Sequence, residues 1–210
     1  MKKTIHIVVL FLLTGITFGQ TLPDEVVLKL KAPRVFHAVF HTTKGDFTIE
    51  VVRSWSPLGA DRIYQLLKTG FYNNNGIFRV QTGYVIQFGI GDSKEINAFW
   101  DKKPLKDEPA KTLNRKGTLS YARDGAESRT VQLFINLKDN VKLDTVNYNG
   151  LRGFTPVARI TEGFDVVEKF YNGYGFEPTN HQDSVMLYGN AYLKKHFPEI
   201  DYILRAELVK

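Results

Sequence analysis

The sequence contains no cysteine, which excludes disulfides, thiolate nucleophiles and cysteine-ligated metal sites. It also lacks a Lys/Arg cluster interleaved with aromatics. A nucleic-acid interface is therefore not expected, despite a formal charge of +6. Internal repeats and low-complexity segments are absent. The apolar run near the N-terminus is shorter than the roughly 20 residues that a membrane-spanning helix needs, and no other stretch is a candidate to cross a membrane. The five histidines, His6, His37, His41, His181 and His196, show no metal-ligand spacing, so no metal is expected. His37 and His41 stand four apart in a stretch that reads as strand, which suits a structural role. Gly89-Ile90-Gly91 lacks the following helix that a phosphate-binding loop needs, and there is no Gly-x-Ser-x-Gly elbow.

What is present fits one globular domain. The chain has 210 residues, with 43% hydrophobic and 24% charged. Ten Tyr and fifteen Phe, spread along it, favour strands over a helical bundle. Met1-Lys2-Lys3, an apolar run from Ile5 to Phe18 and the small residue Gly19 have the layout of a secretory signal peptide. Cleavage before Gln20 would send the chain to an extracytoplasmic place, periplasmic or secreted, with no membrane span left. An uncleaved anchor is the other reading. Residues 20–35 read as a polar lead-in with Pro23 and Pro33, and residues 36–210 as the domain.

The apolar residues alternate from Val35 onward. Residues 35–43 and 47–52 flank a Lys44-Gly45-Asp46 turn, a hairpin signal. Ser56 and Pro57 open a helix whose apolar face carries Ala60, Ile63, Tyr64 and Leu67, and Gly70 ends it. The stretch 77–89 organises the rest. Its even positions, Phe78, Val80, Tyr84, Ile86 and Phe88, form an apolar face, while Arg79, Gln81, Val85 and Gln87 lie on the other. Thr82-Gly83 marks a bend within it. Residues 91–115 read as irregular, with Asp107-Glu108 in a solvated loop. Strands follow at 117–122, 131–136 and 153–160, a second helix at 161–171, a short helix at 191–196 and a last strand at 202–208. Many strands with two good helices predict a mainly β fold, a closed or nearly closed antiparallel barrel.

Alone, Arg79 reads as a solvated strand arginine and Phe134 as a core aromatic. Three segments taken together say more: Phe78-Arg79-Val80 with Gln87-Phe88-Gly89, then Gly117-Thr118-Leu119-Ser120-Tyr121-Ala122, then Ser128-Arg129-Thr130-Val131-Gln132-Leu133-Phe134-Ile135-Asn136. In this order they resemble the cyclophilin family of peptidyl-prolyl cis-trans isomerases, over roughly residues 37–170. The resemblance implies a closed eight-stranded antiparallel barrel capped by two α-helices. It also implies a monomer that acts on proline-containing polypeptides without a cofactor, in this chain to assist folding of exported proteins. A non-catalytic proline-peptide binder or chaperone on the same barrel is the alternative.

Residue by residue, Arg79 matches the family's catalytic arginine, and Gln87 the glutamine that holds it and the substrate. Gln132 and Phe134 match positions that bind the substrate backbone and floor the proline pocket. Tyr84, Val85 and Leu143 match other pocket positions. Arg123 replaces an asparagine that contributes mainly through its backbone. Phe154 stands where the best-known members carry a histidine, and Lys142 where they carry a tryptophan. These last two departures imply an altered outer wall and weak binding of cyclosporin-type inhibitors. The chemistry suits such residues. An Xaa-Pro bond rotates over a barrier of about 18–20 kcal/mol because the nitrogen lone pair is delocalised. A guanidinium that donates to the prolyl nitrogen localises that lone pair as the bond twists.

Overall fold

The computed structural model describes residues 20–209; the expected signal peptide, residues 1–19, lies outside the described residues. In chain order the strands are β1 (Val35–Thr42), β2 (Gly45–Val52), β3 (Asn75–Gly76), β4 (Arg79–Gln81), β5 (Val85–Phe88), β6 (Thr118–Tyr121), β7 (Leu133–Asn136), β8 (Asn147–Tyr148), β9 (Leu151–Arg152), β10 (Pro156–Glu162) and β11 (Tyr202–Leu208). The helices are α1 (Glu25–Leu28), α2 (Pro57–Lys68), α3 (Lys94–Asp101), α4 (Lys142–Thr145), α5 (Phe164–Val167) and α6 (Gln182–His196). Nine strands form one antiparallel sheet in the order β3-β11-β1-β2-β10-β6-β7-β5-β4, and β8 and β9 pair as a separate small hairpin.

The fold is mainly β, as the alternation predicts, but the expected closed eight-stranded barrel is not what the hydrogen bonding gives. The sheet is open, with β3 and β4 as its unpaired ends. Those two ends are consecutive in the chain, linked by Ile77 and Phe78. The cause lies in the side chains of that link. Ile77 joins the main core, whereas Phe78 joins a second cluster with Val185, Leu193, Phe197 and Ile200 of the C-terminal region. Phe78 therefore leaves the face that Val80, Ile86 and Phe88 share, and the run 77–89 is not one strand. Its second half is a hairpin, with Arg79 opposite Gln87 and Gln81 opposite Val85.

The helices differ from expectation in instructive ways. Helix α2 forms where Ser56 and Pro57 place it and stops before Gly70, which takes a φ of 65°. The helix expected at 161–171 is only the single turn α5, because β10 continues to Glu162. Gly163 then turns the chain at a φ of 75°, with its Cα packed so that a Cβ would come within 2.3 Å of the Asp46 carbonyl oxygen. The short helix expected at 191–196 is the C-terminal part of α6, which breaks at Gly189 (φ 58°, ψ −145°). Helix α3 lies inside the stretch read as irregular, capped by Ser93 and burying Ile96 and Trp100. Residues 20–34 lie along α2, where Gln65 donates to the carbonyls of Leu28 and Leu30 and Asp61 accepts from the Ala32 N–H. Among the described residues no helix is long and apolar enough to cross a membrane.

Glu108 is not in a solvated loop. Its carboxylate accepts from the N–H groups of Leu58 (2.7 Å) and Gly59 (3.2 Å) at the start of α2, and from the Ser56 hydroxyl. Ser56 itself makes no side-chain cap, so the acid supplies what the sequence assigned to the serine. Arg129, almost wholly buried, donates to the same carboxylate at 3.2 Å. Removing the acid takes the side-chain acceptor from a helix N-terminus and the nearer carboxylate from Arg129, which keeps the Lys106 carbonyl, the Ser56 hydroxyl and the more distant Asp107. Glu108→Ala is thus expected to lower the urea unfolding free energy by about 2 kcal/mol or more. A loss below about 1 kcal/mol, the range of an exposed pair, would contradict this role.

Candidate active site

Four strands build the site on one face of the sheet. The registers place Arg79 opposite Gln87, Gln87 opposite Phe134, and Phe134 opposite Ser120, a row running across β4, β5, β7 and β6. Directly opposed residues share a face. The neighbouring row, Val80, Ile86, Ile135 and Leu119, belongs to the main core on the other face. The loop between β4 and β5 has three residues, Thr82, Gly83 and Tyr84, and Gly83 adopts a φ of 66°. This loop preserves the alternation, so Val85 and Gln87 return on the same face as Arg79 and Gln81.

The Arg79 guanidinium is held by two amides. Its Nε donates to Gln81 Oε1 at 2.8 Å, one terminal nitrogen donates to the same oxygen, and the other donates to Gln87 Oε1 at 2.9 Å. Of the five N–H donors on a guanidinium, these contacts occupy three and leave one on each terminal nitrogen. Aromatic rings of Phe176 and Tyr84 lie 4.9 and 5.7 Å from its central carbon. Burial pushes the Arg79 pKa down from the usual arginine value, and the Tyr84 hydroxyl opposes that shift. The group stays cationic at neutral pH.

Beside this cation is an apolar cluster of Val85, Phe134 and Leu143, with Tyr84, Ala122 and Phe154 packed on it. Phe154 meets Phe134 edge to face, with centroids 5.5 Å apart and planes at 81°. A cavity of about 720 Å³ opens over the cluster, and Arg79, Tyr84, Val85, Gln87, Arg123, Gln132, Phe134, Leu143 and Phe154 all line it. All nine residues singled out from the sequence thus surround one space. Arg123 takes part in a particular way. Its side chain is buried, donates to the carbonyls of Leu151 (2.8 Å) and Gly153 (2.6 Å), and lies 4.5 Å from the Phe154 ring. It supports the pocket wall from behind. Lys142 is exposed on α4 and is not among the lining residues.

Several residues that shape the site gave no sequence signal. Gln81 lies on the face that the alternation predicts, but nothing in the sequence ties it to the cation. Phe176, Thr179 and Gln182 come from a C-terminal segment beyond the motifs and line the same cavity. A buried polar network also lies under the pocket. Asn114 donates to Asp144 and to the Phe154 carbonyl and accepts from Ser120, while Asn140 donates to the Tyr84 carbonyl and to Asn136. Asparagines in strand ends and loops read as turn residues, so the sequence alone could not flag them. Among the described residues no group of His, Asp and Glu stands close enough to hold a metal ion. His37 and His41 instead face carboxylates on the sheet surface, Glu50 for the first and Asp46 and Glu207 for the second.

Comparison with known proteins places this geometry in a family. The model of the cyclophilin-type peptidyl-prolyl cis-trans isomerases matches residues 37–187. The chain is 35% identical over 150 residues to peptidyl-prolyl cis-trans isomerase B of Escherichia coli K12, covering 69% of this chain and 89% of that one. It is 32% identical over 133 residues to a peptidyl-prolyl cis-trans isomerase of Acinetobacter baylyi, covering 62% and 69%. Among solved structures, a Cryptosporidium parvum cyclophilin-type isomerase superimposes with a TM-score of 0.60 over 84% of this chain and 98% of its own. At 16% identity, that likeness concerns the fold alone. A crystal structure of the same parasite protein in the presence of the dipeptide Ala-Pro gives 0.59, also at 16% identity, over 83% of this chain and 99% of its own. The motifs, the sheet and these matches lead to one conclusion: the chain belongs to the cyclophilin-type peptidyl-prolyl cis-trans isomerase family and is an enzyme of that class.

Proposed function

We propose that this cavity is the isomerase site, that Arg79 is its catalytic residue, and that its substrates are Xaa-Pro bonds in unfolded or flexible exported proteins. The observation that carries the reading is the guanidinium fixed by Gln81 and Gln87 at the edge of an apolar pocket floored by Phe134. Val85, Phe134 and Leu143 hold the prolyl ring by apolar contact, while Gln132 hydrogen-bonds the peptide backbone. The acyl side then swings about a fixed ring. As it twists, a free guanidinium N–H donates to the pyramidalising prolyl nitrogen, an interaction absent from either planar form. Binding that strengthens only in the twisted state lowers the barrier. No proton is transferred and no covalent bond changes. The signal-like N-terminus supports an extracytoplasmic place of action, and the monomeric state is part of the same proposal.

Arg79→Ala is expected to reduce kcat/KM on an Ala-Pro peptide by about 100-fold or more, with ground-state peptide affinity little changed. Arg79→Lys should also be poor, because an ammonium lacks the fork that Gln81 and Gln87 grip. Exchange spectroscopy on the folded variants checks this. A rate near wild type in Arg79→Ala refutes the mechanism, and peptide binding without any catalysis by the wild type favours the binding-module reading.

The exposed position of Lys142 carries a second expectation. Its hydrated ammonium and mobile stem provide no wall for a large apolar ligand, whereas the proline pocket lies deeper against Phe134 and Leu143. Cyclosporin should therefore bind weakly, and Lys142→Trp should tighten it by about tenfold with little change in catalysis. Calorimetry showing tight binding to the wild type, or no gain in the variant, contradicts this.

A further inference from the structure

The chain after α5 returns across the edge strand of the site. Val80, in β4, donates its N–H to the Gly175 carbonyl at 3.2 Å, and Asn172 donates to the Thr82 hydroxyl at 2.9 Å. A short 3₁₀ helix, Glu177–His181, then leads into α6. This path brings Phe176 over Arg79, closer to the cation than Tyr84 is. Phe176 remains 44% exposed, so core packing does not account for it. The same path brings Gln182 against Gln132, which donates to its Oε1 at 2.9 Å.

Gln182 completes a chain whose direction is fixed at both ends. Arg79 can only donate, so Gln87 must turn its oxygen towards it and its nitrogen towards Gln132. Gln132 must then offer its oxygen to Gln87 and its nitrogen to Gln182, and Gln182 donates in turn to the Thr179 carbonyl at 3.2 Å, which can only accept. No amide in the series can flip without setting donor against donor. Gln132 is left with one free N–H and one free lone pair, in a set orientation, above the cavity.

We propose that Phe176 and Gln182 are positioning residues of the isomerase, Phe176 for Arg79 and Gln182 for Gln132. This deepens the assignment of Arg79 and Gln132 given above and rests on it. Phe176 shields the guanidinium from water and confines it, so that its free N–H groups meet the prolyl nitrogen without reorganisation. Its effect belongs to the transition state. Gln182 holds the Gln132 amide in the orientation that receives the substrate backbone, which is bound alike in the ground and twisted states. Its effect belongs to binding.

The two roles separate in steady-state kinetics. Phe176→Ala should lower kcat about tenfold with KM nearly constant, and Phe176→Tyr should recover most of that loss. Gln182→Leu should raise KM about threefold or more at constant kcat. Gln182→Glu, which still accepts from Gln132 but faces the Thr179 carbonyl with a second acceptor, should recover only part of it. A readout independent of catalysis accompanies them: the ¹⁵N-detected Arg79 Nε–H should exchange with water several-fold faster in Phe176→Ala at unchanged thermal stability. If Arg79→Ala retains full activity, the assignment of Arg79 fails while the exchange measurement still judges the Phe176 contact. If Arg79→Ala is inactive but Phe176→Ala keeps both the wild-type kcat and the slow Nε–H exchange, the Phe176 role is overturned. An unchanged KM in Gln182→Leu overturns the Gln182 role.

Discussion

Ile86 of β5 sits opposite Ile135 of β7, and Ile135 sits opposite Leu119 of β6, all three without exposed surface. Burying each such side chain contributes roughly 1.5–3 kcal/mol, so the pairing register of these strands is set by the core. The other face of the same strands inherits that register, and with it the row of Arg79, Gln87 and Phe134. A slip of one residue would turn the cation and both amides into the core and the isoleucines into the cavity. The site therefore needs no separate device to bring its cation beside its aromatic floor. The three-residue loop at Thr82, Gly83 and Tyr84 completes this arrangement, and its Tyr84 carbonyl is tied to Leu137 and Asn140.

Orientation within that row comes from hydrogen bonds. The amides of Gln81 and Gln87 restrain the Arg79 side chain, so that few rotamers are left for it to lose on making a further contact. Below the apolar pocket, Asn114, Asn136, Asn140 and Asp144 link β6, β7 and α4 to the segment carrying Phe154, with their polar groups satisfied by one another. Such a network is rigid when complete and costly when broken. It keeps Leu143 and Phe154 against Phe134 although both lie outside the main sheet.

Much of this was legible in the sequence, for identifiable reasons. Two-residue alternation in 77–89 predicts Val80, Ile86 and Phe88 in the core and Arg79, Gln81, Val85 and Gln87 on the other face, as found. It also puts Phe78 and Tyr84 in the core stripe, which both leave, Tyr84 for the cavity. Ser56-Pro57 marks the start of α2. The family resemblance carried by three motifs points to nine residues, five of them outside the motifs, and all nine surround a single cavity; their individual roles are proposals. What escaped was set by long-range packing. Phe78 follows the alternation but is drawn into the cluster under α6, so the barrel expected as closed is an open sheet of nine strands. The apolar face of 161–171 looked helical, yet β10 extends into it until Gly163 turns the chain. Glu108 lies in a polar run that reads as loop, and only the fold brings it to a helix start fifty residues earlier. Phe176 and Gln182 lie beyond the motifs, and their sequence positions carry no trace of the cation and the amide they meet.

The central claim, that a core-determined register creates a site able to twist Xaa-Pro bonds, is tested most directly by exchange NMR on a short Ala-Pro peptide with a small amount of the wild-type protein. The uncatalysed bond interconverts over tens to hundreds of seconds. The account predicts cis–trans exchange peaks within a sub-second mixing time, accompanied by intermolecular contacts from the prolyl ring to Phe134 and Leu143. Exchange no faster than in the peptide alone, or a proline ring bound away from Phe134, would contradict it.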